Sequence, residues 1–173
     1  MRIIDERETL RWLSARELLD SSGQPSFSGF HQAICSPIPV DSGHKTALSR
    51  AIVSFFDADE EALLWIDEFK IWPSAEDWYL FNGFRQFLGE PGSLSEKPGH
   101  IFSKNDLDAV GSLVAMVLYF CSGAILFSPA KGLAIRISHD EFIDIYVRDQ
   151  KDAPIITEKL KPFLESGEKH QKQ

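Results

Sequence analysis

Apolar residues recur along this chain with two periods, and the change from one to the other divides it into elements. Leu10, Trp12 and Leu13 supply apolar contact within residues 5–19. Asp5 with Glu8 and Ser14 with Glu17 stand at capping-box spacing, so one helix or two short ones are predicted there. DSSGQPSFS at 20–28 is a loop by composition. The run FHQAICSPIPV (30–40) reads as a strand. Pro37 and Pro39 cannot donate to a ladder, which puts its end at an edge or an exit. Asp41 or Ser42 then caps a helix to about Phe56, with Ala47, Leu48, Ala51, Ile52 and Phe55 on one stripe. Residues 61–72 form the clearest strand. Strand–helix–strand order predicts a right-handed crossover, with the two strands parallel neighbours or near-neighbours.

Pro73 ends that strand, and Ser74 with Asp77 opens a helix running to Leu88. Phe81, Phe84, Phe87 and Leu88 are its expected apolar side and Gly89 its stop. GEPGSLSEKPGHIF (89–102) is the longest predicted loop, the kind of segment in which function concentrates. A hydrophobic helix is expected at 105–121, followed by strands at 123–128 and 132–138 joined by the turn Ser128–Gly132. SHDEFIDIYVRD pulls two ways. Ser138 and Glu141 have capping-box spacing, and Phe142, Ile145 and Tyr146 share a helical face, whereas the β-branched content of IDIYV suits a strand. A helix over 139–147 is the preferred reading. A last helix from Pro154 should be interrupted by Pro162. The outcome is a single globular domain over 1–165 with a disordered tail at 166–173. Its class is mixed α/β (α+β), one layer of four or five strands, partly parallel through 30–72 and hairpin-connected at 123–138, packed against helices.

One stretch, AVGSLVAMVLYFCSGAILF (109–127), has no charge and approaches the length of a membrane span. A buried helix stopped at Ser122-Gly123 and followed by a buried strand explains it as well, and amphipathic elements on both sides favour that reading. Cys35 and Cys121 sit in apolar contexts and are expected as reduced, buried thiols of a cytoplasmic protein.

The charge changes the picture of partners. The net charge is -8 over 173 residues, and no basic run offers a phosphate-binding surface, so nucleic acid is not expected. Acidity permits a basic protein partner. Between Trp65 and Phe87 eight aromatics occupy twenty-three positions, including Trp65, Trp72 and Trp78. Such density anchors a core or forms an interface. The interface reading takes Trp72, Trp78 and Tyr79 as a patch. Glu76 and Asp77 rim it, together with Asp57, Asp59, Glu60 and Glu61. A structural subunit of a homo-oligomer is a third reading.

Candidate chemistry is sparse. Phosphate-loop, dinucleotide-loop, nucleophile-elbow and zinc-binding signatures are absent, and no cofactor or metal is implied. Strict alternation puts Asp67 with Leu63, Trp65, Phe69 and Ile71 on one apolar face, where a carboxyl would need a partner or a raised pKa. A bulge at Asp67-Glu68 would instead turn it outward. His100 closes the long loop and could act as a general base. His31 could pair with an acid such as Asp67. His139 stands beside Asp140, Glu141 and Asp144, a spacing that suits helix capping better than metal ligation. A small enzyme or ligand-binding protein using Asp67, His100 and His139 is therefore the alternative to a non-enzymatic binding module.

The segment ALLWIDEFKIWPSAEDWYLFNGFRQFLG, with PGHIF and ISHDEFIDIY, resembles a group of small uncharacterised bacterial proteins over residues 30–147. That resemblance implies bacterial origin and no activity. The late strand leading into S-x-D-E-F is also similar to acidic immunity and binding proteins of the Smi1/Knr4-like kind, and it carries no residue role across.

Overall fold

A computed structural model describes residues 1–57, 59–68, 75–90 and 92–164, with the backbone alone at 68 and 75–78. Seven strands form one sheet: β1 (Arg2–Ile4), β2 (His31–Pro37), β3 (Ala62–Glu68), β4 (Gly99–Phe102), β5 (Gly123–Ser128), β6 (Leu133–Ile137) and β7 (Phe142–Val147). Their order is β1-β4-β3-β5-β6-β7-β2, and every neighbouring pair is antiparallel. Five helices accompany it: α1 (Glu6–Ser14), α2 (Ser42–Val53), α3 (Ala75–Phe87), α4 (Leu107–Tyr119) and α5 (Ala153–Leu164).

The mixed helix-and-sheet class agrees with the sequence reading, but the sheet differs from it in three respects. It has seven strands rather than four or five. The three additions are β1, β4 inside the expected long loop, and β7 in place of the expected helix over 139–147. The expected parallel pairing of the strands at 30–40 and 61–72 is absent, because β5, β6 and β7 lie between β2 and β3. β2 suits its edge position. Only Ile34 is deeply buried along it, its register shifts between Gln32 and Ile34, and it ends at Pro37.

The segment at 139–147 is a strand because alternation outweighs the helical spacing. Ile143, Ile145 and Val147 are all buried on one face. The would-be capping box is a tight turn instead. Ser138 Oγ accepts from the Asp140 amide at 3.1 Å, the Glu141 amide reaches the Ser138 carbonyl at 3.1 Å, and the Ser138 amide reaches the Phe142 carbonyl at 2.8 Å. Pro162 does not break α5, since it falls in the last turn, where the one hydrogen bond it forfeits is cheaply lost.

The sheet is covered on both faces. α2, α4 and α5 pack on one face over Leu64, Ile66, Leu126, Ile135 and Ile145. On the other, α1 and the connection at 15–30 cover Leu63, Trp65, Ile101 and Phe127, and Phe27 stacks on Tyr146 at 4.4 Å. Gly99 permits the closest approach of α1, since a Cβ there would lie 2.1 Å from Thr9 Oγ1. The uncharged stretch at 109–127 is divided between α4 and β5, and among the described residues no helix is long and apolar enough to cross a membrane. The tail at 166–173 lies outside the described residues.

Candidate functional site

α3 is placed by what it turns inward. Phe81 is buried, with its ring 5.8 Å from that of Phe120. Asn82 Oδ1 accepts from the Leu94 amide at 3.1 Å, and Arg85 Nη2 donates to the Lys97 carbonyl at 2.6 Å. The opposite side of the helix carries exposed apolar residues: Tyr79 is 78% exposed, Leu80 54% and Phe87 85%. At 3.6 residues per turn, Tyr79, Gly83, Phe87 and Leu80 fall within an arc of about 100°. A Cβ on Gly83 would meet nothing within 4 Å, so this arc is open surface. The expected apolar side of this helix is therefore divided. Phe81 faces in, Phe84 is half-buried, and Phe87 and Leu88 face out.

Beneath the helix lies a polar pair in an otherwise apolar layer. Arg85 and His100 have no exposed surface. Neither ring nitrogen of His100, nor Nε or Nη1 of Arg85, makes a hydrogen bond. Burial pushes the His100 imidazole from 6.5 down to about 3, and the neighbouring Arg85 charge adds to the fall. The Leu64 and Pro98 carbonyls oppose it without reaching hydrogen-bond geometry. Burial also lowers Arg85, against the attraction of Glu90 and Glu96.

The chain from 90 to 98 is shaped by those two carboxylates. Glu90 Oε1 accepts from the Gly92 amide at 2.7 Å, and both its oxygens take Lys97 Nζ at 3.1 Å. Glu96 Oε2 accepts from the Ser93 amide at 3.0 Å and the Ser93 hydroxyl at 2.9 Å. The backbone amides of Gly92 and Ser93 are the main reason both carboxyls lie below the usual range. The expected loop is thus a wired connection ending in β4.

The residues singled out from sequence fall in different places. Trp72 lies outside the described residues, as do the side chains of Glu76, Asp77 and Trp78, while Tyr79 is exposed on α3. Asp57, Asp59, Glu60 and Glu61 precede β3; Asp59 pairs with Lys104 at 2.6 Å and Glu61 with Arg16 at 3.6 Å. Asp67 is exposed at a register shift between Ile66 and Glu68, the bulge that turns it from the apolar face. His31 is on the edge strand β2 and meets Gln150 Nε2 at 3.3 Å. His139 lies in the β6–β7 turn, its Nε2 3.4 Å from Asp140 Oδ1. Asp67 is exposed on β3, His100 is fully buried on β4, and His139 lines a cleft whose described lining residues include neither of the others.

Arg85 escaped the sequence reading, and Cys121 was expected there only as a buried thiol. Arg85 is four residues after Phe81, and that spacing inside an aromatic run was the available sign that it shares the buried face. Cys121 lines the His139 cleft, of about 440 Å³, with Tyr119, Phe120, Asp140 and Glu141. Its thiol donates to Glu141 Oε1 at 3.3 Å, and both residues have left-handed backbone (φ 50° and 63°). Neither cysteine is fully buried as expected. Cys121 is half-buried, and Cys35 is exposed on β2, where Asp144 raises its pKa. Among the described residues no cluster of histidine, cysteine and carboxylates could hold a metal ion.

The chain matches no protein-family model, and no curated protein or solved structure is significantly similar to it.

Proposed function

We propose that this chain is a non-enzymatic protein-binding module that docks its partner on the outer face of α3. One observation carries the reading: a helix seated on the core by Phe81 leaves Tyr79, Leu80 and Phe87 in water on its other side. Each such side chain gains roughly 1.5–3 kcal/mol when a partner covers it fully. Aromatic anchors of this kind dominate binding energy at protein interfaces. A net charge of -8 favours a basic partner, steered toward the chain before the apolar contact forms.

The test is photo-crosslinking in the native host, with a benzophenone amino acid at position 87 and a control at position 142 on β7. The reading expects a discrete adduct from position 87 that is absent from 142 and whose yield falls with added salt. Equal yields from both positions would remove α3 as the docking element. An adduct of twice the chain's own mass would replace the basic partner with a second copy.

A further inference from the structure

Arg85 and His100 make a second claim on this region, independent of the docking reading. A buried polar atom without a partner is rare enough in folded proteins that each instance calls for an explanation, a bound ion or ligand among them. Here four such atoms belong to two side chains of one region: Nε and Nη1 of Arg85, and Nδ1 and Nε2 of His100. The chain has its own acids nearby, yet none is spent on the guanidinium. Glu90 and Glu96 are the opposite charges that Arg85 feels. Glu90 is committed to Gly92 and Lys97, and Glu96 to Ser93. Those same bonds shape the connection that brings the Lys97 carbonyl to Arg85 Nη2, so one corner of the guanidinium is fixed while its other donors face no acceptor among the described residues.

We propose that Arg85 and His100 form a receptor for a small oxyanion, a carboxylate or a phosphate, between α3 and β4. The planar guanidinium is the side chain best matched to both anions, and its hydrogen bonds to them are charge-assisted. The neutral imidazole offers one N–H from a second direction. The oxyanion supplies the counter-charge and the acceptors that Glu90 and Glu96 do not.

The experiment uses the full chain in chloride buffer at constant ionic strength, titrated with sodium phosphate and, separately, sodium acetate, while the histidine ring resonances are followed by NMR. The proposal expects one of the two anions to move the His100 resonance saturably while those of the exposed His31 and the half-exposed His44 stay in place. Whether phosphate or acetate acts identifies the class. Arg85→Met should weaken that anion by roughly tenfold or more, and Arg85→Lys by less. A His100 resonance unmoved by both anions, or one moving in step with His31 and His44, overturns the proposal. So does Arg85→Met binding as tightly as the parent. If Arg85→Met does not fold, the titration of the unaltered chain decides alone.

Discussion

α3 and α4 are both thirteen residues long, and they use their apolar residues in opposite ways. α4 buries Val110, Leu113, Val114, Val117 and Leu118 completely. α3 turns Phe81 and a charged Arg85 inward and leaves Tyr79, Leu80 and Phe87 outside. A helix needed only for the fold would be arranged as α4 is, since covering the sheet requires one apolar stripe and nothing opposite it. The departure of α3 from that arrangement is the observation on which the proposed docking face and the proposed anion receptor both rest.

The largest expected effect comes from α4. Leu113→Ala should cost about 3 kcal/mol by leaving a cavity in a packed layer, read as a lower midpoint in urea unfolding. An effect below about 1 kcal/mol would place α4 outside the core and erase the contrast.

Next in size is the acid response of the layer under α3. The His100 imidazole titrates near its ordinary 6.5 in the unfolded chain and near 3 when folded. Between those values the unfolded chain binds a proton that the folded one refuses. Stability from this group is therefore intact above 6.5 and falls as the pH drops through the window. At about pH 4.5 the loss should reach roughly 2–3 kcal/mol. His100→Gln should show a smaller fall between about pH 7 and pH 4.5 by that amount. Equal falls in both proteins would mean that the imidazole is not held neutral by burial.

Arg85→Met should be neutral or stabilising by about 1–2 kcal/mol, because an apolar chain of similar length replaces a buried cation lacking a direct counter-ion. Unfolding curves in chloride buffer read it. A loss above about 2 kcal/mol would show that Arg85 is paired in solution and holds α3 in place. The smallest effect is expected from Phe87→Ser, whose ring is 85% exposed: a change within about 0.5 kcal/mol in the same assay.

How much of this could be read from the sequence followed from the range of the interactions involved. α2, α3, α4, β5 and β6 were legible because caps, turn residues and period are local properties. β1 was not, since Arg2–Ile4 is too short to show a period, and it exists by pairing with β4, about a hundred residues away. β4 was hidden because GHIF follows two prolines and a glycine-rich run, and all four of its residues are buried by tertiary partners. Phe142, Ile145 and Tyr146 fit a helical face in isolation. β7 became a strand because β6 and β2 both pair with it. For the candidate site, aromatic density drew attention to α3 through Tyr79. The inward turn of Arg85 and the burial of His100 depend on tertiary packing, which no local pattern encodes.

The account depends most on the outer face of α3 being a docking surface rather than surplus apolar area. The direct measurement is the affinity of the partner captured from position 87 for the double variant Tyr79→Ser, Phe87→Ser, with the unfolding midpoint of the same preparation taken alongside. The account predicts affinity reduced at least roughly tenfold with the midpoint unchanged. Undiminished affinity would contradict it, and so would a collapse of the midpoint, which would make these rings part of the fold.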